Sequence, residues 1–467
     1  MRTNILFQSC GAIVSLAIAA LLAQTAHADV RMPKIFGDHM VLQRDQPIPV
    51  WGWASADEAI TIKLNGAEVS TVAGKDGKWK VALPVQKAGG PFTLTITGKN
   101  TVKFDDVLIG EVWFCSGQSN MDMRVAPPKK PVDGILDREK VLAAASNPKV
   151  RLFHVDYNWQ RAPIDDVKGR WLLCEPKYVA DYSAVAYLFA TQLQKELDVP
   201  VAVITAAMGG MPINQFSPPP DPAFWYNGMI APVIPYGIRG ALWYQGETDM
   251  NLGMEYFRRQ KRLIEGWRNA WGQGQFPFYF VQIAPFAYSK GTWPVKKPPP
   301  DFLPLLWEAQ TASLAVPNTD MVVITDVGDP KDIHPKNKQP VADRLARLAL
   351  ANTYGRKDIV FSGPRYSHSA VEGDHIRIHF DHVAGGLVSR DGKPLDWFTI
   401  AGKDKKFVPA EATIDGDAII VRSKEVADPA AVRFGWHETA QPNLVNKAGL
   451  PTAPFRTDDW PPDAARK

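Results

Sequence analysis

Residues Gly110-Glu-Val-Trp-Phe-Cys-Ser-Gly-Gln-Ser-Asn-Met121 join a hydrophobic run to a short polar sequence. The pattern predicts a buried strand over Val107 to Phe114 that breaks at Cys115-Ser-Gly-Gln118. Ser119 then follows the carboxyl end of the strand, where open α/β sheets hold their active sites, so it is our candidate nucleophile. The alternative is a turn serine that caps a helix. The frame is not the Gly-x-Ser-x-Gly sequence of α/β-hydrolases, because Asn120-Met121 stands where the second glycine should be.

Apolar strands alternate with amphipathic helices around this stretch, from residue 106 to 356. The predicted helices include Ser183 to Leu197, with Asp181 or Ser183 as the N-cap, and Glu255 to Trp271. This alternation predicts an α/β domain with a mostly parallel sheet and helices on both faces. Its predicted strands are Val107–Phe114, Val150–His154, Val201–Ala206, Gly240–Tyr244, Phe278–Ile283 and Met321–Thr325.

The sequence pattern on either side of this domain predicts strands separated by turns. Residues 29–105 predict a small antiparallel N-terminal β domain, and residues 357–467 a C-terminal β region that packs on the core. The N-terminal strands are predicted at Ile48–Trp53, Ile60–Leu64, Trp79–Leu83 and Phe92–Ile96, and the C-terminal ones at Ile376–Phe380, Trp397–Ala401 and Ala418–Arg422.

Residues 1–28 have the order of a cleaved secretory signal: Arg2, an apolar run from Ile13 to Leu22, and Ala26-His-Ala28. A membrane anchor is the alternative, but the run is shorter than the ~20 apolar residues that a span requires. We therefore predict cleavage after Ala28 and a periplasmic or secreted protein without an anchor. Cleavage lowers the formal charge from +4 to +3, because Arg2 leaves and no acid does. So small a charge argues against nucleic acid as a partner.

The cysteines and the sequence motifs indicate which cofactors to expect. Cys10 leaves with the predicted signal, so Cys115 and Cys174 either pair with each other or remain as buried free thiols. The sequence contains no His-Glu-x-x-His motif and no glycine-rich phosphate loop. We therefore expect neither a metal nor another cofactor, and the sequence leaves the oligomeric state open.

Ester hydrolysis by a serine requires a base, an acid group that orients the base, and donors for the tetrahedral oxyanion. Of the nine histidines, His334 lies in a polar loop after the predicted strand Met321–Thr325, on the same sheet edge as Ser119. Asp332 is the candidate that orients the His334 ring, and the alternatives are Asp329 and Asp326. An ordinary surface Asp and His pair would show the same local sequence.

Two further strands end in candidate oxyanion donors. Gly209-Gly210 follow one strand, and their amides can point at a ligand, although a tight turn has the same sequence. Gln245 follows another and offers a carboxamide, and Glu247 adds a carboxylate beside it. Because the carboxyl ends of parallel strands share one edge of a sheet, we expect these groups to gather around Ser119.

The sequence resembles the sialate O-acetylesterase-like proteins of the SGNH hydrolase superfamily over almost the whole chain after residue 28. The resemblance implies a three-layer α/β/α core that hydrolyses acetyl esters on carbohydrates without a metal. The motifs that carry it are Gly117-Gln-Ser-Asn-Met121, Gly209-Gly-Met-Pro-Ile213, Tyr226-Asn-Gly-Met-Ile-Ala-Pro232, Tyr244-Gln-Gly-Glu247 and Asp332-Ile-His-Pro335.

On this resemblance Ser119 is the nucleophile, His334 is the base and Asp332 orients the base. The oxyanion hole combines the Ser119 amide, an amide of Gly209 or Gly210, and the Gln245 side chain. Many SGNH enzymes space the acid and base as Asp-x-x-His, whereas here Lys331 holds that place and Asp332 stands only two residues before His334. Glu247 is therefore a substitute or supplementary partner.

Sialic acid and acetylated polysaccharides such as xylan or xyloglucan are both compatible substrates. Arg124 is a candidate for the sialate carboxylate, and aromatic residues near the candidate loops suit sugar faces, namely Phe216, Trp225, Trp243 and Trp293. Two other functions remain open. One is a non-catalytic carbohydrate-binding protein that binds through its β domains, and the other is a glycosidase that uses Glu247 with Asp332 or Glu308.

Overall fold

The computed structural model describes residues 29–127, 134–221, 223–290 and 297–461. The predicted signal segment, Cys10 and Trp293 lie outside the described residues, so the cleavage site stays a prediction. Within the described ranges, no helix is long and apolar enough to cross a membrane.

The N-terminal region forms six strands, and all four predicted ones are confirmed. Strand β4 (Ala67–Val72) was not predicted, because its side chains are only half-buried or exposed and just Ala67 and Val69 pack against the core. Strand β2 pairs with β5, and β3 pairs with β4 and β6, all antiparallel. The strands are β1 (Val41–Gln43), β2 (Ile48–Trp53), β3 (Ala59–Leu64), β4 (Ala67–Val72), β5 (Lys78–Leu83) and β6 (Gly89–Thr97).

A single long strand, β7 (Thr101–Gly117), connects this region to the central sheet. Its first part pairs with β6 and β1, and its second part lies between two parallel strands of the sheet. The predicted break at Cys115 is wrong, because residues 115–117 pair with residues 205–207 on one side and 242–244 on the other. The strand therefore delivers its last residue directly to Gln118 and Ser119.

The other strands of the central sheet are β8 (Val150–Val155), β9 (Gly169–Leu173), β10 (Val201–Ala207), β11 (Gly240–Tyr244), β12 (Phe278–Val281) and β13 (Thr319–Val322). The sheet has the order β13-β12-β11-β7-β10-β8-β9, and its pairs are parallel except β8 with β9. The predicted, mostly parallel sheet is confirmed, and the antiparallel edge strand β9 was not predicted. The helices are α1 (Ser119–Asp122), α2 (Arg138–Ala143), α3 (Pro176–Val179), α4 (Ala184–Leu197), α5 (Met254–Trp271), α6 (Phe302–Ala312) and α7 (Gln339–Leu348).

Helices cover both faces of this sheet. Trp113 and Phe114 are neighbours on β7, so their side chains point to opposite faces. The Trp113 ring contacts Phe189 of α4 at 5.3 Å between centroids, and the Phe114 ring contacts Trp267 of α5 at 5.4 Å. Ser183 caps α4 by accepting a hydrogen bond from the Ala186 amide at 3.3 Å, whereas Asp181 does not serve as the cap.

The C-terminal region forms small antiparallel sheets with a hydrophobic cluster of their own. The N-terminal strands and the α/β layers instead share one cluster, and the domain boundaries at residues 105 and 356 stay a prediction. The strands are β14 (Arg365–Glu372), β15 (His375–Asp381), β16 (Leu387–Ser389), β17 (Phe398–Ala401), β18 (Val408–Pro409), β19 (Glu411–Asp415), β20 (Ala418–Arg422), β21 (Ala431–Phe434), β22 (Leu444–Asn446) and β23 (Phe455–Arg456).

The two cysteines of the described residues are buried free thiols. Cys115 lies on the central strand β7 and Cys174 follows β9. Of the two alternatives that the sequence left open, the structure contains the unpaired one.

Candidate active site

The end of β7 places Ser119 at the carboxyl edge of the sheet. Gly117 has a φ of +143°, and a side chain there would clash with the Tyr244 carbonyl on the neighbouring strand β11, so this close approach requires glycine. The Gln118 amide donates a hydrogen bond to the same Tyr244 carbonyl at 3.0 Å. Ser119 follows as the half-buried first residue of α1.

His334 lies beside Ser119, although the two residues are 215 positions apart in the sequence. The His334 Nε2 atom is 2.8 Å from the Ser119 Oγ atom. Burial, together with the nearby Lys338 ammonium, lowers the pKa of His334, while the Asp332 carboxylate opposes this shift. At neutral pH the imidazole is therefore unprotonated, which is the form that accepts a proton from a serine hydroxyl.

Asp332 contacts His334 through the backbone. Its Oδ1 atom accepts a hydrogen bond from the His334 amide at 2.9 Å, and no described carboxylate is hydrogen-bonded to the His334 ring. Asp329 accepts a hydrogen bond from the Lys331 amide at 2.9 Å, and Asp326 is ion-paired with Arg344 at 2.6 Å. Of the three aspartates, Asp332 is thus the one that touches His334, and its role as the orienting acid stays a prediction.

A buried chain of polar side chains supports this arrangement, and the sequence did not reveal it. The Asn120 Nδ2 atom donates to Glu247 Oε1 at 2.5 Å and to the Ile333 carbonyl at 3.0 Å. The Asn120 Oδ1 atom accepts a hydrogen bond from Lys338 Nζ at 2.5 Å. Because Ile333 precedes His334, the Asn120 side chain ties the histidine loop to the helix that carries Ser119.

Burial shifts the pKa values of Lys338 and Glu247, the two ionisable residues at the ends of this hydrogen-bonded network. Burial lowers the pKa of Lys338 to about 7, although the Glu247 and Asp332 carboxylates raise it. Burial raises the pKa of Glu247, and its Oε2 atom is buried without a hydrogen-bond partner among the described residues. Asn120 follows the serine in a motif and could have been suspected from it. Lys338 had no signal, because one lysine before a helix resembles any other.

The glycine pair and Gln245 differ in their freedom to bind an oxyanion. Gly209 lies against Ser119, since a Cβ at position 209 would be 3.5 Å from the Ser119 Cβ. Neither Gly209 nor Gly210 donates its amide to another described residue. Gln245 is fully buried, and its Nε2 atom donates to Asp249 at 2.6 Å and to the Met211 carbonyl at 3.3 Å. Gln245 must release one of these contacts to serve as a donor.

Several residues suggested by the sequence are committed to other contacts. Phe216 and Trp243 are fully buried against each other, so they are core residues and offer no sugar surface. Arg124 is paired with Asp181 at 2.5 Å, which already neutralises its guanidinium. Glu308 is ion-paired at 2.8 Å with Arg456 of β23. This pairing argues against Glu308 as the acid of a glycosidase.

We expect that Lys338→Met moves the acid limb of the kcat/KM profile to higher pH. A cation with a pKa of about 7 is mostly charged where His334 titrates, so its removal raises the pKa of His334. The pH profile of p-nitrophenyl acetate hydrolysis measures the effect. Lys331→Met is the matched control, because Lys331 is exposed on the same loop, and an unmoved acid limb in Lys338→Met would contradict the prediction.

We expect Asp332→Asn to lower turnover about 10²-fold or more and Glu247→Gln to lower it less. Asparagine still accepts the His334 amide but no longer stabilises the imidazolium by its charge. Glutamine keeps an acceptor for Asn120, so its main effect should be on stability. Turnover and thermal midpoint of both variants, beside Asp329→Asn as the control, separate the roles. A larger turnover loss in Glu247→Gln would make Glu247 the partner of His334.

Comparisons with known proteins give matches to carbohydrate esterases. The family described as carbohydrate esterase, sialic acid-specific acetylesterase matches residues 109–350. The chain is 29% identical to the sialate O-acetylesterase of Rattus norvegicus in an alignment of 516 positions, which covers 91% of this chain and 92% of the relative. The Homo sapiens sialate O-acetylesterase is 29% identical over 76% of this chain and 77% of its own length. The crystal structure of a carbohydrate acetylesterase from Xanthomonas citri is similar with a TM-score of 0.86 and 36% identity, covering 92% of this chain and 100% of that one.

Proposed function

The chain belongs to the carbohydrate esterase family of sialic acid-specific acetylesterases, and from this premise we propose that it is a secreted serine esterase with Ser119 as the nucleophile. Its class, a carbohydrate O-acetylesterase, rests on the family match and on its relatives. The observation that supports the serine mechanism is the 2.8 Å distance between Ser119 Oγ and His334 Nε2 at the carboxyl edge of a parallel sheet.

The proposed reaction has two steps. As Ser119 Oγ attacks the acetyl carbonyl carbon, His334 Nε2 takes the hydroxyl proton and returns it to the departing sugar oxygen. Water, deprotonated by the same nitrogen, then attacks the acetyl-enzyme and releases acetate and the free serine. The amides of Ser119 and of Gly209 or Gly210 are the proposed oxyanion donors, and Asp332 stabilises the imidazolium in both steps.

The substrate and the compartment are parts of the proposal. The mammalian relatives are named sialate O-acetylesterases and the bacterial one is named a carbohydrate acetylesterase. O-acetylated sialic acid and acetylated polysaccharides therefore both fit the class. The charge, apolar run and small residues of residues 1–28 support export to the periplasm or the exterior. We expect the reaction to need no metal or other cofactor.

Acetate release from defined substrates tests the proposal. The panel is p-nitrophenyl acetate, O-acetylated sialic acid, acetylated xylan and acetylated xyloglucan, with reducing ends measured in parallel. We expect acetate release from at least one carbohydrate without chain cleavage. New reducing ends from an unacetylated oligosaccharide would instead favour a two-carboxylate glycosidase. No acetate from any substrate would favour a non-catalytic carbohydrate-binding protein.

A further inference from the structure

Two exposed aromatic side chains, two positions apart in the sequence, follow a strand of the central sheet. Three aromatic residues of the described ranges are largely exposed: Trp159 at 47%, Tyr157 at 45% and Trp397 at 38%. Trp397 belongs to the C-terminal region, whereas Tyr157 and Trp159 follow β8 of the central sheet. Contiguous exposed apolar surface on a folded protein often marks an interaction site.

A hydrogen bond joins this pair to the helix of Ser119. The Tyr157 hydroxyl donates to the Asp122 Oδ2 atom at 2.6 Å. Asp122 is the last residue of α1 and stands three positions after Ser119, which is about 4.5 Å along a helix axis and on the same side of the helix. Asp122 therefore links the exposed tyrosine directly to the short helix that begins with the candidate nucleophile.

Two further aromatic residues complete the surface from the other side. The Trp159 ring stacks on Phe224 with centroids 4.5 Å apart and an angle of 29° between the rings. The Tyr157 ring meets Trp225 edge-on at 6.4 Å. We call Tyr157, Trp159, Phe224 and Trp225 the aromatic platform. The exposed Arg161 guanidinium lies 5.9 Å from the Trp159 ring centroid and adds a polar group at its rim.

Backbone hydrogen bonds hold the platform in place before any ligand arrives. The Gln160 amide donates to the Phe224 carbonyl at 3.1 Å, and the Asn227 side chain donates to the Gln160 carbonyl at 3.2 Å. Gly228 packs so closely on the Asn158 carbonyl that a side chain there would clash. A surface that is already ordered loses little conformational entropy on binding.

We propose that the aromatic platform binds sugar rings of a glycan chain beyond the acetylated residue, so that the enzyme prefers acetylated oligosaccharides or polysaccharides to free acetylated monosaccharides. The apolar C–H face of a neutral pyranose complements an exposed aromatic ring, and Trp and Tyr also offer polar edges for its hydroxyl groups. The inference rests on the proposed function, because it takes the acetyl group to be cleaved at Ser119.

The experiment compares Trp159→Ala with Trp397→Ala, which removes another exposed tryptophan ring, in the C-terminal region. KM and kcat are measured on acetylated xylo-oligosaccharides and on p-nitrophenyl acetate. We expect Trp159→Ala to raise KM for the oligosaccharide about tenfold, which corresponds to about 1.4 kcal/mol, and to leave p-nitrophenyl acetate hydrolysis unchanged. Trp397→Ala should resemble the wild type on both substrates.

Three outcomes would overturn the platform: an unchanged oligosaccharide KM in Trp159→Ala, an equal loss on both substrates, or a change of oligomeric state that assigns the surface to a second copy. Binding of unacetylated xylo-oligosaccharide, measured by calorimetry, keeps the two proposals apart. If the wild type cleaves no acetylated glycan but still binds the oligosaccharide through Trp159, the proposed function fails and the platform stands. If the wild type releases acetate but Trp159→Ala binds the oligosaccharide as tightly as wild type, the platform fails alone.

Discussion

Ser119→Ala is expected to lower acetate release by at least about 10⁴-fold on every substrate, because the variant lacks the hydroxyl oxygen that forms the acetyl-enzyme. The Oγ atom is 2.8 Å from the only imidazole that contacts it within the described residues. Alanine removes the attacking atom and leaves the oxyanion amides, so a small residual rate is expected. Burst kinetics with p-nitrophenyl acetate, which report the acetyl-enzyme directly, should disappear.

The matched control for this substitution is Ser116→Ala on the same strand. Ser116 is fully buried and donates its hydroxyl to the Ala206 carbonyl at 2.6 Å. Its loss should cost about 1 kcal/mol of stability and leave turnover near that of the wild type. Thermal midpoints of both variants show whether each is folded. A folded Ser119→Ala enzyme that retains a tenth of the activity would refute the nucleophile assignment.

His334→Gln is expected to lower kcat about 10³-fold or more and to abolish the acid limb of the pH profile. In the wild type the unprotonated imidazole is the active form, so kcat/KM should fall as the pH drops through the pKa of His334. Burial, reinforced by the Lys338 charge, lowers that pKa. The wild-type enzyme should therefore keep its activity below the ordinary histidine value of about 6.5.

His382→Gln is the control for the histidine experiment. His382 is another histidine whose pKa is lowered by burial, and it packs against Phe361 and follows strand β15 of the C-terminal region. Its replacement should leave the acid limb in place. The assignment of His334 as the base would be abandoned if His334→Gln retained both its rate and the acid limb, or if His382→Gln lost the limb.

The strand and helix periods of this sequence predicted most of the fold because they are local. Strands β2, β11 and β20 were predicted with the bounds that the structure has. The wrong or missing predictions concern strands whose extent depends on pairing with neighbouring strands. Strand β7 extends to Gly117 because both neighbours pair with it, and β4 pairs with β3 although its side chains are only half-buried or exposed.

The sequence also predicted the main residues of the candidate site, but not all of their contacts. Ser119 and His334 each follow an apolar strand, and parallel strands bring their carboxyl ends to one edge, so the sequence predicted that the two would meet. The distance of 2.8 Å between their side-chain atoms agrees with that expectation. The sequence could not tell that Gln245 has both amide hydrogens engaged, because its partners are a side chain and a carbonyl whose positions depend on the fold.

The sequence by itself therefore determined the class of fold, the strand ends that carry the chemistry, and the resemblance that implies an acetylesterase. The tertiary structure alone decided which polar groups are buried together and which aromatic rings face solvent. Asn120 is hydrogen-bonded to Glu247, 127 positions later in the sequence, and to Lys338, 218 positions later. Trp243 is buried while Trp159 is exposed. The physical reason is that burial and hydrogen bonding depend on distances between residues far apart in sequence, which no local pattern encodes.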